Sequence, residues 1–151
     1  MDPTAAMPVF TTLDAVTDLV AGRRSLYVRW SRGPSVDLQR ASSMDDLTGV
    51  RMPGLSASPL DVEGWWGDRP TRVWVARRLY DYSHLPRVKD SRTRPWVLRG
   101  QEMGRGPDNE PLVRAVRPLG WIHHRVIAEA DAVITRQPGR WGPIRRDGSA
   151  L

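Results

Sequence analysis

Apolar residues recur along the chain with two different periods, and the alternation between them outlines the fold. Between Thr11 and Gly22, Leu13, Val16, Leu19 and Val20 fall at helical spacing. Thr12 is placed to cap this helix, Asp14 lies in its first turn and Gly22 supplies the stop. From Arg24 to Trp30 the period becomes two: Leu26, Val28 and Trp30 alternate with Ser25, Tyr27 and Arg29. This predicts a strand with Tyr27 and Arg29 on the face opposite the three apolar residues. Ser31-Arg32-Gly33-Pro34 ends it, and 35–70 reads as a long, mostly irregular stretch held to the domain by Leu55, Leu60 and at least one of Trp65 and Trp66.

The helical period returns after Arg69-Pro70, where Val75, Leu79 and Tyr82 form a stripe that leaves Arg77, Arg78 and Asp81 for solvent. A basic linker over 87–94 leads to a second alternating segment at 95–102 and then to the polar turn Gly104-Arg105-Gly106-Pro107-Asp108-Asn109. Two short strand-like pieces, 110–116 and 119–122, precede a third helix over 123–136, whose apolar side carries Val126, Ile127, Ala130, Val133 and Ile134. The elements do not repeat as β-α-β units. They predict a single α+β domain over 12–143, with three helices around a short, mostly antiparallel sheet, between a flexible flank at 1–11 and a basic tail at 144–151.

Composition narrows the function classes. At 151 residues the chain can bury about two-thirds of its unfolded surface. No apolar run approaches the roughly 18 residues of a membrane span, and 1–10 lacks the basic and apolar regions of a signal peptide, so a cytoplasmic protein is expected. Zero cysteines exclude disulfides, thiolate metal sites and a cysteine nucleophile. His123 and His124 are adjacent, and neighbouring helical positions diverge too far to hold one metal, so none is expected. The net charge is +6, and Lys89 is the only lysine. Arginine forks bind phosphate bidentately, although GC-rich codon usage also replaces lysine with arginine throughout a chain. The arginines fall in short patches, which permits a phosphate-bearing partner without demanding one.

Two groups of residues are candidates for function. Arg29 on a strand, Ser56 in a loop and Glu110 at a strand start could hold the phosphates, fix the ribose and support the oxocarbenium-like centre of an NAD-consuming transfer. Tyr27 lies on the face of Arg29, and the turn Gly104, Arg105, Gly106 and Asp108 precedes Glu110. Each residue also has an ordinary role: Arg29 as an ion-paired strand residue, Ser56 in a turn, Glu110 as a surface charge. The second group is Trp65, Trp66 and Arg69, the residue types most enriched in binding surfaces, which would serve a non-enzymatic module contacting a protein or a nucleic acid.

The segments Leu-Tyr-Val-Arg-Trp-Ser-Arg-Gly-Pro at 26–34, Pro-Gly-Leu-Ser at 53–56, Trp-Val-Ala-Arg-Arg-Leu at 74–79, Trp-Val-Leu-Arg-Gly at 96–100 and Gly-Arg-Gly-Pro-Asp-Asn-Glu-Pro-Leu-Val at 104–113 resemble a family of small, uncharacterised actinobacterial proteins. That resemblance covers about 12–143 and implies no activity. A weaker one is to the ADP-ribosyltransferase superfamily, in which Arg29, Ser56 and Glu110 would match the strand arginine, the serine and the terminal glutamate. It implies NAD as substrate. Ala57 stands where that superfamily carries threonine, Asp108 stands two residues before the glutamate, and the interval from Arg29 to Ser56 is short for it.

Overall fold

A computed structural model describes residues 7–40, 54–81, 93–106 and 109–136. In chain order its elements are β1 (Val9–Phe10), α1 (Leu13–Gly22), β2 (Leu26–Ser31), α2 (Pro34–Arg40), β3 (Leu55–Ser56), β4 (Ser58–Pro59), a 3₁₀ turn (Gly64–Trp66), α3 (Thr71–Asp81), β5 (Arg94–Arg105), β6 (Pro111–Ile122) and α4 (His124–Thr135).

The sheet runs β1-β6-β5-β2-β4, and β3 pairs with β6. Among the described residues only the β1–β6 ladder is parallel. Because β3 and β4 are separated by Ala57 alone, the segment that pairs with β6 through Leu55 and Ser56 goes on to pair with β2 through Ser58 and Pro59. The ladders therefore form a closed circuit, β2 to β5 to β6 to β3/β4 and back to β2. Its curvature comes from register shifts in the β5–β6 hairpin at 97/98, 99/101 and 102/104 and from Ala115, whose φ of 54° lies in the left-handed region. Each extra residue bends its strand and increases its twist.

The curled sheet separates two apolar clusters. Leu26, Val28 and Trp30 of β2 join Leu13, Val16 and Val20 of α1, Trp74, Val75 and Leu79 of α3, and Val126 and Ala130 of α4. On the inner side Tyr27 packs with Ala57, Trp96, Leu98 and Val113. The period-two reading of β2 thus matches the observed faces. The inner side is tightly filled: a Cβ on Gly54 would lie 2.9 Å from both the backbone nitrogen and the carbonyl oxygen of Val113.

α1, α3 and α4 lie where the helical period placed them. Thr12 caps α1, its hydroxyl accepting from the Ala15 amide at 3.1 Å, and Gly22 is the last helical residue rather than the one beyond. Among the described residues there are four α-helices and not three. The unforeseen one, α2, starts at Pro34 with Asp37 in its first turn. Its apolar residues Val36 and Leu38 are exposed, so it carries no stripe for a pattern to detect. Other features depart from the sequence pattern. The pieces at 110–116 and 119–122 are one bulged strand, β6, and Glu110 precedes it. Arg78 is buried rather than solvated, stacked 4.8 Å from the centre of the Trp74 ring with Nη2 donating to Glu63 at 3.3 Å. Val9–Phe10, in the flank expected to be flexible, adds β1 to the sheet. Of 35–70, the stretch 54–70 is anchored by buried Leu55, Leu60 and Trp66, whereas 41–53 lies outside the described residues, as do the basic tail and most of the 87–94 linker.

If closure of the sheet depends on the close approach at Gly54, Gly54→Ala will lower unfolding free energy in urea by about 1–3 kcal/mol, the usual cost of overpacking. Gly64→Ala, where a Cβ meets nothing within 4 Å, will change it by less than about 0.5 kcal/mol.

Candidate functional site

The structure brings two of the three transferase candidates into contact. Arg29 projects from the inner face of β2, and its Nη1 donates to the backbone carbonyl of Ser56 at 2.6 Å. Ser56 is paired in register with Leu112, two residues beyond Glu110. The same guanidinium grips Asp37 of α2, with Nε donating to Oδ2 at 2.6 Å and Nη2 to Oδ1 at 3.4 Å. Asp37 Oδ2 also accepts from the Ser31 hydroxyl at 2.5 Å, and that hydroxyl accepts in turn from the Trp96 indole at 2.9 Å and the Gly33 amide at 3.1 Å. Ser31 and Asp37 are buried, and the Arg29 side chain is only 14% exposed. A charge so enclosed needs its partner, because solvent cannot replace it. This is the ion-paired role for Arg29.

Each of the other members of that group has its own surroundings. Tyr27 is buried in the inner cluster, and its phenol is pushed above its ordinary pKa by desolvation first and then by the charges of Glu102 and Asp61. Arg105 pairs with Glu102 at 2.9 Å and donates to the Asn109 carbonyl at 3.1 Å. Gly106 closes the hairpin turn, its amide donating to the Glu110 carbonyl at 2.8 Å, and the Glu110 carboxylate fills the space a Cβ on Gly106 would need. Gly104 is the next-to-last residue of β5, with open space beside it, and Asp108 lies outside the described residues.

Trp65, Trp66 and Trp74 form an edge-to-face triad with ring centres 5.4–6.0 Å apart. Trp66 is buried, Trp65 half-buried and Arg69 exposed. The indole nitrogens are satisfied internally, by Glu63, Pro70 and Leu60 respectively. The guanidinium of Arg69 lies 5.1 Å from the Trp66 ring centre. The triad therefore makes a rigid floor, and the arginine, not the indole, faces outward.

Beside that floor is a cleft of about 340 Å³ at the C-terminal end of α1, with Arg23, Arg24, Asp61, Trp66 and Arg69 among its walls. Asp61 is held by backbone amides, Ser25 donating at 2.7 Å and Leu26 at 3.0 Å. The cleft opens at one end of a run of arginines that the sequence pattern did not expose. The Gly100 amide donates to the Ser25 carbonyl at 3.1 Å, so the Arg23–Arg24 segment lies alongside the stretch of β5 that carries Arg99. Arg99 is paired in register with Arg117 of β6, and Gln101 with Arg114. All three arginines are exposed, and no acidic ion-pair partner for them, for Arg23 or for Arg24 is found among the described residues. Like charges placed directly opposite across a ladder repel. The cue for this site is the strand register, which neither spacing nor composition contains.

The class of protein so defined is a small α+β domain with a curled, closed sheet and exposed arginines paired across neighbouring strands. The chain belongs to the family of unknown function DUF6098, whose model matches residues 3–142. No curated protein and no solved structure matches it. Among the described residues no helix is long and apolar enough to cross a membrane, and no three histidine or carboxylate side chains gather where a metal ion could be held.

Asp37→Ala removes the carboxylate that faces the enclosed Arg29 guanidinium, and will cost about 3–5 kcal/mol of stability in chemical denaturation. Replacing both, Arg29→Met with Asp37→Leu, will recover only part of that loss: apolar residues of similar volume often substitute for a buried ion pair, but here the Ser31 hydroxyl loses its acceptor and the Ser56 carbonyl a donor.

Proposed function

We infer that this protein is a non-enzymatic binding module that takes a nucleic acid strand along its arginine band. The observation that carries the reading is the in-register pair Arg99 and Arg117, two exposed cations set against each other with no described acid between them. Such a pair is unfavourable in the free protein and becomes favourable when a polyanion lies over it. The band extends toward Arg114 on one side and toward Arg23, Arg24 and Arg69 on the other, and a net charge of +6 draws anions to the surface as a whole.

The reading is tested by fluorescence anisotropy of a short labelled single-stranded oligonucleotide across a salt series. Log K should fall linearly with log salt, by about 0.7 for each phosphate neutralised. The Arg99→Ser, Arg117→Ser double variant should bind more weakly with a slope shallower by about 1–2, while its melting temperature stays level or rises because the repulsion is gone. Salt-insensitive binding, or an unchanged slope in the double variant, rejects the reading.

A second reading, NAD-dependent glycosyl transfer, is favoured by one contact, that of Arg29 with Ser56 close to the strand that follows Glu110. It requires Arg29 to exchange the Asp37 carboxylate for a pyrophosphate, which makes it the weaker of the two. Calorimetric titration with NAD decides it: heat that Arg29→Ala removes, together with nicotinamide release that Glu110→Gln abolishes while binding survives, would place the chemistry there. Absence of binding removes it.

A further inference from the structure

The cleft beside the arginine band mixes charges in a way that a surface for phosphate alone would not. Three cations, Arg23, Arg24 and Arg69, share its walls with one carboxylate, Asp61. That carboxylate is fixed by the Ser25 and Leu26 amides, one to each oxygen. An ionised carboxylate offers about four acceptor positions and no donor, so two remain on Asp61 after the amides are served. A phosphate oxygen is repelled there, whereas a hydroxyl can donate. At about 340 Å³ the cleft is at the lower limit of small-ligand sites, room for one unit of a chain rather than several.

We propose that this cleft is a ribose subsite, with Asp61 accepting from the 2′-hydroxyl of a nucleotide whose phosphates lie on Arg23, Arg24 and Arg69, so that the module selects RNA over DNA. The proposal rests on the nucleic-acid reading above and specifies its substrate class. Phosphate contacts alone do not distinguish the two polymers, and the 2′-hydroxyl is the group that does. Asp61 is a positioning residue for β2 as well, because its carboxylate holds Ser25, whose φ of 61° lies in the left-handed region.

The experiment compares three labelled single strands of one sequence, ribo, deoxyribo and 2′-O-methyl, on the intact chain at fixed salt. The 2′-O-methyl strand keeps the phosphates, the bases and the 2′-oxygen and carries a methyl group in place of the donated proton, and the deoxyribo strand controls for that added bulk. The ribo strand should bind about fivefold more tightly than either of the others, the scale of one net hydrogen bond. Asp61→Asn should bring the three affinities together. Because that substitution also weakens the hold on Ser25, Gly22→Leu provides a second route: a Cβ on Gly22 meets nothing within 4 Å, the residue lines the cleft, and leucine suits the last position of α1. It should occupy the cleft, abolish the ribose preference and leave the salt-dependent binding through Arg99 and Arg117 in place. Equal affinity for all three strands, with steep salt dependence retained, overturns the ribose subsite and leaves the band as a general polyanion surface. A ribose preference that survives Gly22→Leu places the discrimination elsewhere and overturns it too. If none of the strands binds, the reading beneath it has failed.

Discussion

The guanidinium of Arg29 is the tie on which the arrangement of the sheet depends. It joins three parts of the chain that no local rule brings together: β2, from which it projects, the carbonyl of Ser56 in the closing segment, and Asp37 on α2. The closing segment is too short to hold itself, since β3 and β4 contribute two residues each. Short strands of this kind need side-chain support, and a planar fork that serves a carboxylate and a carbonyl together supplies it with defined geometry. Ser31 and the Trp96 indole complete the network, so the polar groups enclosed under α2 have partners. An apolar side chain at 29 could fill the space, but it could not specify which carbonyl and which helix meet there.

What was legible in the sequence follows from the range of the interactions involved. α1, α3 and α4 are packed on a shared core by one stripe each, and a stripe is written in consecutive residues. β2 shows clean alternation because its two faces meet different clusters. α2 was hidden because its value to the fold is one carboxylate, while Val36 and Leu38 point outward. β6 was split because Pro118 and the left-handed Ala115 interrupt its alternation, although neighbours on both sides hold it as one strand. Sheet closure and strand register are set by contacts distant in the chain, and the candidate sites inherit that. Arg29 and Ser56 could be named as residue types, but the carboxylate that occupies Arg29 could not. Arg99 and Arg117 were unremarkable until the ladder placed them opposite each other.

The scarcity of lysine takes on a different meaning at different positions. At Arg29 the fork reaches two acceptors at once, and at Arg78 and Arg94 the flat guanidinium stacks on Trp74 and Trp121, geometries an ammonium does not reproduce. At Arg99 and Arg117 only charge and exposure are defined, and lysine would meet both requirements for a phosphate chain. A preference for arginine codons, if the source genome has one, would account for the second kind without further argument. It does not account for the placement of two cations in register, which is a property of the position and not of the codon.

That distinction bears on how a small domain can carry an unfavourable surface. The connection between α1 and β2 is only three residues long, and Ser25 within it adopts a left-handed backbone that costs a non-glycine residue on the order of 1–2 kcal/mol. Asp61 offsets the cost by accepting both the Ser25 and Leu26 amides, and in doing so its carboxylate is fixed at the wall of the cleft before any ligand arrives. The ladder likewise holds the backbones of Arg99 and Arg117 at fixed spacing, and the indole triad supports Arg69 from below. Groups already held by the fold lose little freedom on binding, so if the proposed strand does bind here, this fixed placement would reduce what association must overcome.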